Sequence, residues 1–102
     1  MKREMEISAN LQVIEWLKVE LVDTVALLFK SLLKAGNDAT VDVLATLIII
    51  VYLLAHRLGL GFQVVEMRIK HKINNSIGDL DDIGGDLTYL QKYLEAKDNK
   101  KR

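Results

Sequence analysis

Glu20 and Asp23 are the first side chains in this 102-residue chain whose type and spacing could do chemistry. Three residues apart, their carboxylates share one face of a helix, where an acidic pair can hold a cation or simply edge the helix and pair with lysines. A basic run, Arg68, Lys70, His71 and Lys72, could reach phosphates, although on a helix it spreads over several faces and reads equally as a solvated surface. His56 and His71 lie far apart with no metal-ligand spacing and read as helix-terminal or surface histidines. Gly59-Leu60-Gly61 follows a helical pattern and not a strand, so it is a helix stop and not a phosphate loop. With no cysteine in the chain, disulfides and thiolate metal sites are excluded.

The composition narrows the function classes. Fourteen basic and fourteen acidic side chains cancel, which argues against a nucleic-acid binder held by phosphate contacts. Half the residues are hydrophobic, 27% are charged and none is proline, as suits uninterrupted helices. The opening MKREMEIS has charges but no apolar segment behind it, so no secretory signal is expected and the location expected is cytoplasmic.

The elements that must position these groups are helices. Ile14, Leu17, Leu21, Val25, Leu28 and Leu32 recur at steps of three and four. Trp16, Val19, Val22, Ala26, Phe29 and Leu33 form a second stripe, with Trp16 expected in a core and not as a base-stacking platform. Ser8 or Asn10 is the expected N-cap and Gly36 the expected C-terminal stop. Asn37-Asp38 then forms a short link, with Asp38 capping a second helix that ends at Leu58-Gly59. A third helix is expected over about 62–75 with Phe62, Val65, Ile69 and Ile73 inward. After the glycine-bearing segment SIGDLDDIGGD, Asp86 caps a last helix carrying Leu87, Leu90 and Leu94, and KDNKKR is a solvated tail. The expectation is an N-terminal extension over 1–9, one helical domain over 10–97 and a charged tail over 98–102.

The second helix contains VLATLIIIVYLLA, thirteen residues from Val43 to Ala55. As a helix it rises about 20 Å, short of the roughly 30 Å hydrocarbon core of a bilayer, so a buried core helix and no membrane span is expected. Such a helix needs cover on every side. The short link makes it antiparallel to the first helix, and the class expected is an all-α antiparallel bundle of about four helices. Two shorter helices cannot cover both apolar faces, so a homodimer is expected.

IEWLKVELVDTVALLFKSLLK, a short loop, DVLATLIIIVYLLAHRLGL and then VVEMRIKHKI resemble the MazG-like family of all-α nucleoside triphosphate pyrophosphohydrolases over about residues 10–76. The closing GDLTYLQKYL is similar to the tail of short members of that family. The resemblance implies E-E-x-x-E on one helix and E-x-x-D on the next, four of whose five carboxylates surround Mg²⁺, which orients water and offsets charge as pyrophosphate leaves. Here the first motif reads VDTVA: Asp23 keeps one acidic position and Ala26 stands at the second ligand. The second reads DVLAT, so Val43 and Thr46 replace its ligands, and Asp42 is turned about 100° around the helix from the nearest one.

Glu20, Asp23 and Asp42 are therefore the metal candidates that remain. In a hairpin closing near Gly36-Asn37, Ala26 would lie beside Leu47 and Asp42 beside Ser31, about 12 Å along the axis from Asp23. One subunit cannot bring them together; a dimer could. Two functions follow. The first is a binding or regulatory helical dimer that needs no metal and holds a nucleotide, with Lys70, Lys72 and Asn75 as the nucleotide candidates and no assigned catalytic residue. The alternative is an active Mg²⁺-dependent enzyme splitting a nucleoside triphosphate to monophosphate and pyrophosphate. Neither needs a membrane or a nucleic acid.

Overall fold

A computed structural model describes residues 2–34, 36–76 and 83–100. These form four helices: α1 (Lys2–Ser31), α2 (Asp38–Arg57), α3 (Phe62–Ser76) and α4 (Gly84–Lys100). No strand occurs among the described residues, and the all-α class holds. The chain divides into two compact units, Met1–Phe62 and Gln63–Arg102.

In the first unit α1 starts at Lys2, ahead of the cap expected at Ser8 or Asn10. No glycine or proline interrupts 2–10, so nothing stops the helix from propagating through it. Its inward face is Asn10, Val13, Ile14, Leu17, Leu21, Thr24, Leu28 and Ser31, all buried or half-buried at helical spacing. The first predicted stripe is thus mostly inward. The second faces out: Trp16 is 59% exposed and Val22 69%, which corrects the core placement of Trp16, because one neighbouring helix can cover only one face.

Two side-chain links fix the register of α1 on α2. Thr40 Oγ1 donates to Ser31 Oγ at 3.1 Å, and Ser31 donates to the Leu28 carbonyl at 2.7 Å. At the far end Asn10 Nδ2 donates to the Arg57 carbonyl at 3.1 Å, while Arg57 Nη1 donates to Asn10 Oδ1 at 3.3 Å. Falling numbers on α1 meet rising numbers on α2, so the hairpin is antiparallel as expected. Asn10 is a mid-helix clamp and not an N-cap.

The link between the helices is longer than expected and moves the register. Past Ser31 the helix winds down through three-residue turns, Leu33 N to the Lys30 carbonyl and Lys34 N to the Ser31 carbonyl, both 3.2 Å. Gly36 then takes φ +101°, a left-handed conformation that glycine adopts without the Cβ penalty. Asn37 occupies the N-cap without a side-chain bond, and Asp38, expected as the cap, lies in the first helical turn where its charge suits the helix dipole. Ser31 consequently lies beside Thr40 and not Asp42.

α2 ends as predicted. Gly59 has φ +81°, its N–H reaches the His56 carbonyl at 3.0 Å, and Leu60 N–H reaches the Ala55 carbonyl at 2.9 Å, the paired bonds of a Schellman stop. Only Ile50 and Ala55 of α2 are buried, at 6% and 7% exposure, whereas Ile48 and Ile49 are each 56% exposed. The expected core helix is therefore uncovered on most sides within one chain. By length and mean hydropathy, 20 residues and 2.1, α2 also meets the criterion for a helix able to cross a membrane.

In the second unit α3 follows its predicted span, with Ile73 buried and Val65 half-buried, while Phe62 and Ile69 are more exposed than expected. α4 begins at Gly84, so Asp86 lies in its first turn and does not cap it; Leu87 N–H bonds the Ile83 carbonyl at 2.9 Å and starts the helix earlier. Most of the expected loop, residues 77–82, lies outside the described residues, as do 101–102 of the expected tail. The start of that tail is helical through Lys100.

Candidate functional site

Positions 23, 26, 43 and 46 are where the resemblance expects carboxylates. Interpolating between the Ser31–Thr40 and Asn10–Arg57 links places Ala26 about level with Val43 and Leu44, and Asp23 about level with Thr46 and Leu47. The hairpin thus brings the four positions to about one level along its axis. Asp23, Ala26 and Thr46 are exposed there and Val43 is half-buried.

The groups present do not make a cation site. Thr46 Oγ1 donates to the Asp42 carbonyl at 3.0 Å, the back-bond by which a helical threonine satisfies its own hydroxyl. Alanine and valine offer no oxygen. Asp42 lies about level with Phe29, so about 8 Å of helix axis still separates it from Asp23. Among the described residues no group of three His, Cys, Asp or Glu could hold a metal ion. Mg²⁺ needs near-octahedral oxygen ligands at about 2.1 Å, and the described residues of one chain show no such set.

Glu20 is half-buried and Asp23 exposed, and neither has an ion pair among the described residues. The lysine nearest in sequence, Lys18, pairs with Glu15 at 2.9 Å instead. That partner lies one turn back on the same face.

The basic run is distributed as helical spacing requires. Lys70 bridges to Asp98 of α4. The hydrogen bond to Asp98 is the largest influence and holds the Lys70 ammonium above its ordinary range, with desolvation opposing it and the charges of Asp98, Glu66 and Glu95 adding to it. His71 Nε2 and Asn75 Nδ2 are 3.0 Å apart, so of the three nucleotide candidates Lys70 and Asn75 are engaged within the chain and Lys72 is exposed. His56 is exposed in the last turn of α2, its ring 6.0 Å from that of Phe62, which also meets Tyr52 edge-on at 5.7 Å and 90°.

Two arrangements were not read from the sequence. The Asn10–Arg57 clamp joins residues 47 apart, and its one visible signal was a polar residue on the inward register of α1. The other is an open cavity of about 430 Å³ lined by Val64, Met67, Arg68 and His71. Its signal was the recurrence of those residues at steps of one, three and four on α3.

The sequence pattern that defines the MazG-like family matches residues 7–98 of this chain. No curated protein and no solved structure matches it.

Proposed function

Since the chain belongs to the MazG-like family, we propose that it is a non-catalytic member: a cytoplasmic, nucleotide-holding or regulatory helical homodimer. Membership suggests the nucleoside triphosphate pyrophosphohydrolase superfamily, whose chemistry rests on clustered carboxylates around Mg²⁺. The observation that carries the reading is the loss of oxygen ligands at Ala26 and Val43, with the Thr46 hydroxyl turned onto its own helix. The scaffold remains, and the chemistry that would polarise a phosphate does not.

Dimerisation is supported by the uncovered apolar surface of the hairpin. Trp16, Val19, Val22, Phe29 and Leu33 on α1 and Val41, Ile48, Ile49 and Val51 on α2 are all exposed. Burying such surface stabilises by about 25 cal/mol per Å², and a stable interface takes about 800 Å² from each partner. A second copy supplies an identical apolar hairpin, and closed two-fold pairing lets both hairpins be covered at once.

The enzyme alternative requires a dimer that brings Glu20 or Asp42 of one chain to Asp23 of the other. The test is the melting temperature of the purified chain with and without Mg²⁺ or Mn²⁺. Any ion bound only by the native state must raise it. The non-catalytic reading expects no metal-dependent rise; a rise that saturates with metal and vanishes in Asp23→Ala would establish a working site.

A further inference from the structure

We infer that the second copy docks on one broad face of the α1–α2 hairpin, that of Leu11, Val22 and Phe29 on α1 and of Val41, Leu44 and Ile48 on α2, and that the acidic residues lie on the opposite face. This rests on the homodimer proposed above and says which side of the hairpin the partner covers.

The face follows from the helical repeat. Successive side chains turn by about 100°, and the buried Leu17, Thr24 and Ser31 mark the direction in which α1 meets α2. On α2 the buried Ile50 and the half-buried Leu47 and Leu54 mark the return direction. Leu11, Val22 and Phe29 stand about a third of a turn to one side of that direction. In the antiparallel neighbour the same side carries Val41, Leu44, Ile48 and Val51, at steps of three and four and all exposed. Rotation the other way reaches Glu20 and Asp23 on α1 and Asp42, Thr46 and Leu53 on α2.

Chemistry separates the two sides. The four α2 positions carry no polar side-chain atom. Between Leu11 and Phe29 the charges on the apolar side of α1 are Lys18 and, at its edge, Glu15, and they offset each other in an ion pair at 2.9 Å. A second copy brings the same apolar face. Two helices, each about 10 Å across and about 30 Å long, present about 600 Å² in projection. That is the order of the 800 Å² or so that a standard interface takes from each partner. Pairing through the other face would instead set three carboxylates of each copy against their counterparts across the two-fold axis.

A consequence for chemistry follows. Pairing through the apolar face turns Glu20, Asp23 and Asp42 of both copies outward, with two helical layers, about 20 Å, between the sets. No single cation, with oxygen ligands at about 2.1 Å, reaches across that distance. This dimer therefore builds no metal site between its copies.

Sedimentation of the full chain tests the face with a matched pair. Leu44 and Leu53 are on the same helix and each 42% exposed, but they lie on opposite sides. Leu44→Lys should weaken the dimer at least roughly a hundredfold, because its ammonium would be buried without a partner. Leu53→Lys should leave it within roughly threefold of the parent. Circular dichroism checks that both variants fold. Since the chain has no cysteine, Asp23→Cys offers a single thiol, and mild oxidation should yield no disulfide-linked dimer. Dissociation of Leu53→Lys but not of Leu44→Lys, an equal response of the two, or a covalent Asp23→Cys dimer would each overturn the face and leave the homodimer standing. A monomeric parent, or one that needs detergent, would remove the homodimer and this face with it.

Discussion

Thr46 stands where the resemblance implies a carboxylate ligand, and its hydroxyl donates to the Asp42 carbonyl. Asp23 keeps an acidic position with Glu20 three residues back, but among the described residues no group of three His, Cys, Asp or Glu could hold a metal ion. An exposed carboxylate outside a metal cluster contributes only a few tenths of a kcal/mol, so Asp23→Ala should leave the melting temperature within about two degrees. If Asp23 instead sat in a cluster of like charges, its removal would stabilise the metal-free chain. The constructive version is Ala26→Glu with Val43→Glu and Thr46→Asp, which places three carboxylates around Asp23 on the stretch where the hairpin aligns these positions. Scanning calorimetry should show Mg²⁺ stabilising that triple variant and not the parent. A folded triple variant that ignores metal would show that the four positions do not converge. The ligand substitutions that the resemblance implies can be read directly from VDTVA and DVLAT, because residue identity is a property of single positions. The Lys70–Asp98 pairing cannot, because it joins residues 28 apart in the chain.

At the scale of elements, helix identity followed from local rules, as did the end of α2 and the span of α3. Both ends of α1 and the starts of α2 and α4 lie elsewhere than expected. The Gly59 stop was legible because a left-handed glycine after a helix has one common use. The α1–α2 link was misread because Gly36 reverses the chain only after the helix has wound down over Leu32–Lys34, which apolar periodicity does not reveal. Trp16 was misplaced for a related reason: periodicity identifies an apolar face but not the surface that covers it. Leu17, 1% exposed, anchors the inner face of α1, and Leu17→Ala should cost about 3 kcal/mol in urea unfolding through the cavity it leaves. The Lys70–Asp98 bridge joins α3 to α4. Because the folded lysine lies above its ordinary value of 10.5, the bridge contributes fully below that pH and is lost as pH rises through the folded value. The parent should therefore lose more stability than Lys70→Met between pH 9 and pH 11.5, and equal losses on thermal melting would dismiss the bridge.

At the scale of the whole molecule, the apolar surface that one chain leaves open is the main fact to explain. Val43–Ala55 is too short to span a bilayer as an apolar run, and Asp42 on one side with His56 and Arg57 on the other bound it with polar groups. The chain should purify without detergent and sediment as a dimer at micromolar concentration. Ile48→Lys places a charge in the uncovered face of α2 and should shift sedimentation toward the monomer; an unchanged dimer would place the interface elsewhere. Detergent-dependent extraction of the parent would show that lipid, and not a second copy, covers α2. The central claim is that this MazG-like scaffold no longer hydrolyses nucleoside triphosphates. Pyrophosphate release from each common nucleoside triphosphate, with Mg²⁺ and with Mn²⁺, measures that claim most directly. The account predicts no release above background. Robust release that disappears in Asp23→Ala would contradict it and make the chain an enzyme whose ligands assemble across two copies.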